Sequence, residues 1–223
     1  MAEQTEEMFI RQHLQREKEG KIQRIRRLNP YVRKGQIVFA GSSLMEQFPI
    51  YEFLQDFQLP YTIYNRGIGG FTTGEMLNTL KEMVYDLAPK YLFLNIGTND
   101  LNRPDYIQEE MIARYDLILR KIKENIPEAQ IFLLAYYPVN SSAAANPFMA
   151  ATFQHRTNVR IRSANEAVKK LAEKHGIQFL DLNSGITDAD GNLDAAYAID
   201  GMHMYANGYK QVLDNLLPVL EKL

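Results

Sequence analysis

Tyr91-Leu92-Phe93-Leu94-Asn95 is apolar at four successive positions and runs straight into Ile96-Gly97-Thr98-Asn99-Asp100. A strand that is apolar on both faces must be covered on both faces. That is the pattern of a central strand in a parallel sheet. Ile37-Val38-Phe39-Ala40 and Ile131-Phe132-Leu133-Leu134-Ala135 read the same way. Tyr61-Thr62-Ile63-Tyr64 and Ile177-Gln178-Phe179-Leu180 are two further β-leaning runs. Helical periodicity fills the gaps between them. Met76, Leu77, Leu80, Val84 and Leu87 recur near the 3.6 period over Thr73–Asp86. Ile107, Met111, Tyr115, Ile118, Leu119 and Ile122 do so over Tyr106–Ile126, and Val159, Ile161, Ala164, Val168, Leu171 and Ala172 over Thr157–His175. The last of these stops at His175-Gly176, a C-cap pattern. Tyr205–Leu223 closes the chain as a helix that Pro218 should kink or end. Strict alternation of strand and helix predicts an α/β fold, with a parallel sheet sandwiched between helices.

The composition narrows the chemistry. The 223 residues include no cysteine, which removes disulfides, thiolate–zinc sites, thiol catalysis and iron–sulfur clusters. Lys and Arg total 25 against 27 Asp and Glu, a formal charge of −2. That balance speaks against a dominant nucleic-acid or membrane footprint. No apolar run reaches membrane-spanning length. The acidic start, Met1-Ala2-Glu3-Gln4-Thr5-Glu6-Glu7, lacks the form of a secretory signal, so a cytoplasmic location is expected. His13, His155, His175 and His203 are the only histidines available as a base. His175 suits a helix C-terminus, where a cation is favourable, and His155 lies near the start of its helix. Asn140-Ser141-Ser142-Ala143-Ala144-Ala145-Asn146-Pro147 reads as a loop.

In open α/β sheets, ligands bind beyond the carboxyl ends of the strands. Gly41-Ser42-Ser43-Leu44 follows the first strand, and Asn65-Arg66-Gly67-Ile68-Gly69-Gly70-Phe71-Thr72-Thr73 the second. Gly97-Thr98-Asn99-Asp100 follows the third, and Asp200-Gly201-Met202-His203 precedes the last helix. With a strand order 2-1-3-4-5, the first three of these loops would converge. A serine at a strand end needs a base, histidine is the usual one, and an acid partner fixes its tautomer. Backbone N–H groups of a glycine loop and the side-chain amide of Asn99 could bind an oxyanion, worth about 3–4 kcal/mol per donor. Each piece also has a plain structural use. Gly41-Ser42-Ser43 can be only a turn, Gly69-Gly70 can relieve packing, and Asn99-Asp100 can cap a helix.

Taken together, the four blocks resemble those of the SGNH hydrolases, or GDSL-type esterases and lipases. They are most similar to the platelet-activating-factor acetylhydrolase-like and lysophospholipase-like branch. The resemblance runs from about Ile37 to the C-terminus. It implies a flavodoxin-like three-layer α/β/α sandwich with a five-stranded parallel sheet in the order 2-1-3-4-5, and neither a metal nor an organic cofactor. By block position it implies Ser43 as nucleophile and Asp200 and His203 as its partners. The oxyanion donors would be the Ser43 and Gly70 N–H groups and the Asn99 amide. Where the family has Gly-Asp-Ser-Leu, this chain has Ser42 in place of the aspartate. Two adjacent serines result, and block register favours Ser43.

The expectation is therefore a small-molecule ester as substrate, cleaved through an acyl-enzyme, with short acyl or acetyl esters of a sugar or lipid alcohol preferred. The alternative is a non-catalytic flavodoxin-like module holding a nucleotide or phosphate at Gly41-Ser42-Ser43. The loop from Tyr136 through Phe148 should wall the pocket, with Arg66, Phe71 and Tyr137 as further candidates for facing substrate. Residues 1–34 are expected to form a helical extension of the α/β domain at 35–223. Its helix, Glu3–Leu28, would pack Ile22, Ile25 and Leu28 on that domain. From Arg16 to Lys34 it carries eight basic and two acidic residues, which could also contact a polyanion or anionic lipid. A homodimer is a further possibility.

Overall fold

The computed structural model describes residues 2–223, apart from the side chains at 2–7, 10 and 11. Five strands, β1 (Ile37–Gly41), β2 (Ile63–Gly67), β3 (Tyr91–Asn95), β4 (Gln130–Leu134) and β5 (Gln178–Leu180), form one sheet in the order β2-β1-β3-β4-β5. Every pairing is parallel. The helices are α1 (Ala2–Leu28), α2 (Ser43–Glu46), α3 (Ile50–Asp56), α4 (Thr73–Asn78), α5 (Leu80–Met83), α6 (Gln108–Asn125), α7 (Pro147–Phe153), α8 (Asn158–His175) and α9 (Ala206–Leu220).

Alternation along each strand divides the core in two. Val38, Ala40, Leu92, Leu94, Ile131 and Leu133 face one side, where α4, α5, α6 and α8 pack. Ile37, Phe39, Phe93, Phe132 and Leu134 face the other, against α2, α3 and α9. The Phe93 and Phe132 rings stack with centroids 4.5 Å apart across neighbouring strands. The expected three-layer sandwich and strand order are both present.

Several boundaries differ from the sequence reading, each for a local reason. The segment Thr73–Asp86 is not one helix. Thr79 turns its hydroxyl back onto the carbonyls of Glu75 and Met76, and the backbone breaks there into α4 and α5. The run at 140–147 holds the cap of a helix as well as a loop. The Asn146 side chain accepts from the Met149 N–H, Pro147 takes the first helical position, and α7 follows. Pro218 sits inside the final turn of α9, which continues to Leu220. α8 is bounded as expected, by a Thr157 cap and Gly176 in the left-handed region.

α1 lies against the domain through Ile22 and Ile25, whereas Leu28 is 49% exposed. Arg26 donates to Glu82 at 2.7 Å, and the Asn29 amide donates to the Glu82 carbonyl at 2.8 Å. The two long helices of the first layer are tied end to flank. Asp116 of α6 receives Lys174 Nζ at 2.7 Å, while His175 Nε2 lies 2.8 Å from the same oxygen. Hydrogen bonds from Lys174 and then His175 hold the Asp116 carboxyl down at about 2.

That shift sets a pH dependence. The unfolded carboxyl titrates at about 3.9, so its contribution is complete above that value and is lost as pH falls through about 2. Asp116→Asn should lower the denaturant midpoint at about pH 7 and shrink the loss of stability between about pH 4 and pH 2. Identical acid dependence in variant and wild type would exclude Asp116 as a group responsible.

Candidate active site

β1 ends at Gly41, level with Gly67 of β2 and Asn95 of β3. A Cβ on Gly41 would fall 2.1 Å from the Asn95 carbonyl oxygen, so only glycine allows the strands to lie this close. The chain then turns sharply. Ser42 caps α2 with its carbonyl and is wholly buried, its hydroxyl without a partner among the described residues. Ser43 is the first residue of α2, and its hydroxyl reaches the surface of a cleft. Of the two adjacent serines, Ser43 is the one that meets a histidine.

That histidine is His203. Its Nε2 lies 2.9 Å from Ser43 Oγ, and its Nδ1 lies 2.7 Å from Asp200 Oδ2. The Asp200–His203 segment organises itself. Asp200 Oδ1 accepts the backbone N–H groups of Met202 (3.0 Å) and His203 (2.8 Å), and Gly201 takes φ +87° between them. The other carboxylate oxygen is thereby aimed at the ring. Burial by itself would raise the Asp200 carboxyl, but the hydrogen bonds from the His203 ring and from these two N–H groups outweigh it and hold the group at about 2. An ionised carboxylate at Nδ1 places the ring proton there and leaves the Nε2 lone pair facing Ser43.

Three residues with spare N–H donors, Ser43, Gly70 and Asn99, line this cleft. Among the described residues, the backbone N–H groups of Ser43 and Gly70 have no acceptor. Gly70 has φ +75°, a conformation that favours glycine, and it lines the same cleft. Asn99 donates one amide hydrogen to the Phe71 carbonyl at 2.9 Å, which leaves the second unused. Its neighbour Asp100 is buried and binds the start of α4. It accepts the Thr73 N–H and hydroxyl at the start of α4, with Arg114 3.3 Å away. The second and third loops are thus locked together.

α1 completes the cleft. His13, Leu14, Glu17, Lys18 and Lys21 form one wall, and Phe148, Met149 and Thr152 of α7 form another. The cleft encloses about 590 Å³. Lys18 donates to the Gly70 carbonyl (2.8 Å) and to Glu75 (2.6 Å), while Lys21 pairs with Glu46, which accepts the Gly69 N–H at 2.8 Å. α1 therefore fastens the glycine loop from outside.

The three other candidates do not reach the cleft. β2 runs on to Gly67, so Arg66 is a strand residue; its buried guanidinium donates to Asn29 and to the Asn65 carbonyl. Burial lowers its pKa from the usual arginine value. The Phe71 ring is packed in the core, and only its carbonyl serves the site. Tyr137 is buried on the opposite side of the sheet, and burial raises its phenol above the usual range. Of the loop after β4, the Phe148 end does line the cleft. Two contributors escaped the sequence reading. The cleft wall on α1 lay partly within the basic run but carried no local signal of its position. Arg156, beside His155, had no signal of burial at all. Among the described residues no cluster of three or more His, Asp or Glu could hold a metal ion, and no helix is long and apolar enough to cross a membrane.

Comparison with known proteins identifies the family. The GDSL-like Lipase/Acylhydrolase family profile matches residues 47–211, which include the second, third and fourth blocks. The alpha2 subunit of platelet-activating factor acetylhydrolase IB from Rattus norvegicus is 25% identical over 189 residues, 84% of this chain and 76% of that protein. A solved protein from Streptococcus pneumonia, studied as a candidate platelet activating factor, superposes with a TM-score of 0.85 at 30% identity, over 97% of this chain and 98% of that one. A GDSL-like lipase from Bacteroides thetaiotaomicron shares the fold, with a TM-score of 0.74 at 21% identity over 90% and 97% of the two chains. The chain belongs to the GDSL-like lipase/acylhydrolase family, hydrolases that act on esters.

Proposed function

We propose that the protein hydrolyses carboxylic esters of short acyl groups through a covalent acyl-enzyme on Ser43. The observation that carries this reading is the unbroken chain Ser43 Oγ–His203 Nε2 (2.9 Å) and His203 Nδ1–Asp200 (2.7 Å), opening on a cleft with three N–H donors beside it. Ser43 Oγ attacks the ester carbonyl carbon as its proton passes to His203 Nε2. Asp200 stays ionised and stabilises the imidazolium. The carbonyl oxygen gains negative charge in the transition state, where the Ser43 and Gly70 N–H groups and the Asn99 amide bind it. The intermediate collapses, His203 gives its proton to the departing alcohol oxygen, and the acyl group remains on Ser43. Water, deprotonated by His203, then attacks the acyl carbon. Ser43 leaves with the proton from His203, and the carboxylic acid is released.

The walls favour a modest substrate. Leu14, Phe148, Met149 and Met202 offer apolar contact, while Glu17, Lys18, Gln47, Asn102 and Thr152 offer polar contact to an alcohol moiety bearing hydroxyl or charged groups. A cleft whose apolar contacts are interrupted by charged and amide side chains suits a short acyl chain better than a long one. The curated relative is by name an acetylhydrolase, which points the same way.

With p-nitrophenyl acetate, Ser43→Ala should abolish turnover, and a fluorophosphonate probe should label the wild type but not this variant. Wild-type turnover in Ser43→Ala would sink the mechanism. Ser42→Ala removes only a buried hydroxyl, so its kcat should stay within about threefold of wild type. A loss as deep as that of Ser43→Ala would reverse the choice between the two serines. Across p-nitrophenyl esters of rising chain length, kcat/KM should be highest for acetate or butyrate; fastest cleavage of long chains would overturn the short-acyl assignment.

A further inference from the structure

Arg156 sits in the turn between α7 and α8 with only 1% of its surface exposed. Nη2 donates to Asn99 Oδ1 at 2.7 Å, Nε donates to Asn102 Oδ1 at 2.7 Å, and Nη1 faces the sulfur of Met202. Among the described residues no carboxylate forms a salt bridge with it. Burying a guanidinium without a direct ion pair is expensive. Its pKa falls to about 9 because of burial, with Asp200 and Asp100 opposing the fall from a distance, so the group is still cationic at neutral pH. The charge lies where two site loops meet. Asn99 and Asn102 belong to the loop after β3, and Met202 directly precedes His203.

A carboxamide has nearly the same shape when flipped, so packing alone does not decide which end of Asn99 faces the cleft. The hydrogen bonds do decide it. Arg156 holds the oxygen, and the Phe71 carbonyl takes one N–H. Flipping would set the NH₂ group against the guanidinium and the oxygen against the Phe71 carbonyl. In the observed orientation the remaining N–H is free for the cleft. A cation bonded to the amide oxygen also polarises the amide and makes that N–H a stronger donor.

We propose that Arg156 is a positioning residue of the oxyanion hole, which fixes the Asn99 amide as a donor and sets a buried positive charge behind it. The negative tetrahedral oxygen then faces a donor backed by a guanidinium in a medium of low dielectric. Arg156 itself touches no reacting atom. The inference rests on the assignment of Ser43 as nucleophile and Asn99 as donor.

The test is a double-mutant cycle in the full chain, read as kcat and KM for p-nitrophenyl acetate. Thermal melts of every variant establish that each is folded. Asn99→Ala should lower kcat by about 10²- to 10³-fold. Arg156→Met should lower it by about tenfold or more while KM moves within about twofold, because the contact acts on the transition state. Adding Arg156→Met to Asn99→Ala should change kcat by no more than about twofold, since the group through which Arg156 acts is gone. A purely structural role, or one exerted through Met202 and His203, would instead multiply the two losses, and that result overturns the proposal. Wild-type kcat in folded Arg156→Met overturns it as well. If Arg156→Met does not fold, Arg156→Lys keeps the charge but cannot bridge Asn99 and Asn102 together. It should lose part of kcat, and lose nothing further in the Asn99→Ala background; wild-type kcat in Arg156→Lys would overturn the bridging geometry. Undiminished activity in Asn99→Ala or in Ser43→Ala would refute the underlying assignments, whereas an additive cycle refutes the role of Arg156 alone.

Discussion

The parallel pairing of β1 with β2 on one side and β3 on the other carries the rest of the molecule. Its register sets Gly41, Gly67 and Asn95 side by side at the strand ends. Three loops then leave the sheet at one level, and Ser43, Gly70 and Asn99 come to line one cleft. The close approach depends on Gly41, where any side chain would strike the Asn95 carbonyl. It also depends on Asn95, whose buried amide donates to the Ala135 carbonyl and keeps β4 in step with β3. The position of the site is thus a product of sheet register, and the loops supply only its chemical groups.

Holding donors in place requires a second set of contacts, and these are largely ionic. Lys18, Lys21 and Glu46 restrain the glycine loop from the α1 side. Asp100 binds the third loop to the start of α4, and Arg156 binds it to the His203 loop. Asp100 and Arg156 are buried and costly to desolvate, and simple apolar packing would fill the same space with less penalty. What they provide is orientation. Preorganised donors need not reorganise when charge develops, which is the main source of electrostatic catalysis.

The legible parts of the fold were those encoded by local pattern. The strands of β1, β3 and β4 are apolar on both faces, and α6 and α8 repeat at the helical period, so layer order and class followed from sequence. Short helices were lost because one or two turns leave little periodicity; α3 and α7 are both seven residues long. Arg66 was misread because β2 extends three residues beyond its apolar run and carries a buried arginine, the residue type least expected there. Ser43, Asp200 and His203 were legible as blocks. Arg156 and the α1 wall were not, because their roles come from contacts with residues far away along the chain. Nothing local records such a contact.

The two halves of the Ser43–His203 contact differ in the same respect. Asp200 and His203 lie three residues apart, and a turn closed by their own backbone hydrogen bonds sets their geometry. Ser43 arrives from 160 residues away, so the 2.9 Å contact has to be established by packing. α9, which begins just after His203, supplies it. Its Tyr209 ring stacks on Phe48, just beyond α2, with centroids 5.0 Å apart. Val212, Leu213 and Leu216 continue the contact into the core beside Phe39 and Phe93. The distance between His203 and Ser43 is thereby tied to the docking of a whole amphipathic helix on the sheet. A chain that has formed its sheet but not docked α9 would hold an intact Asp200–His203 pair and an exposed Ser43, yet lack the contact between them. The last element of the chain therefore joins two otherwise complete halves of the site.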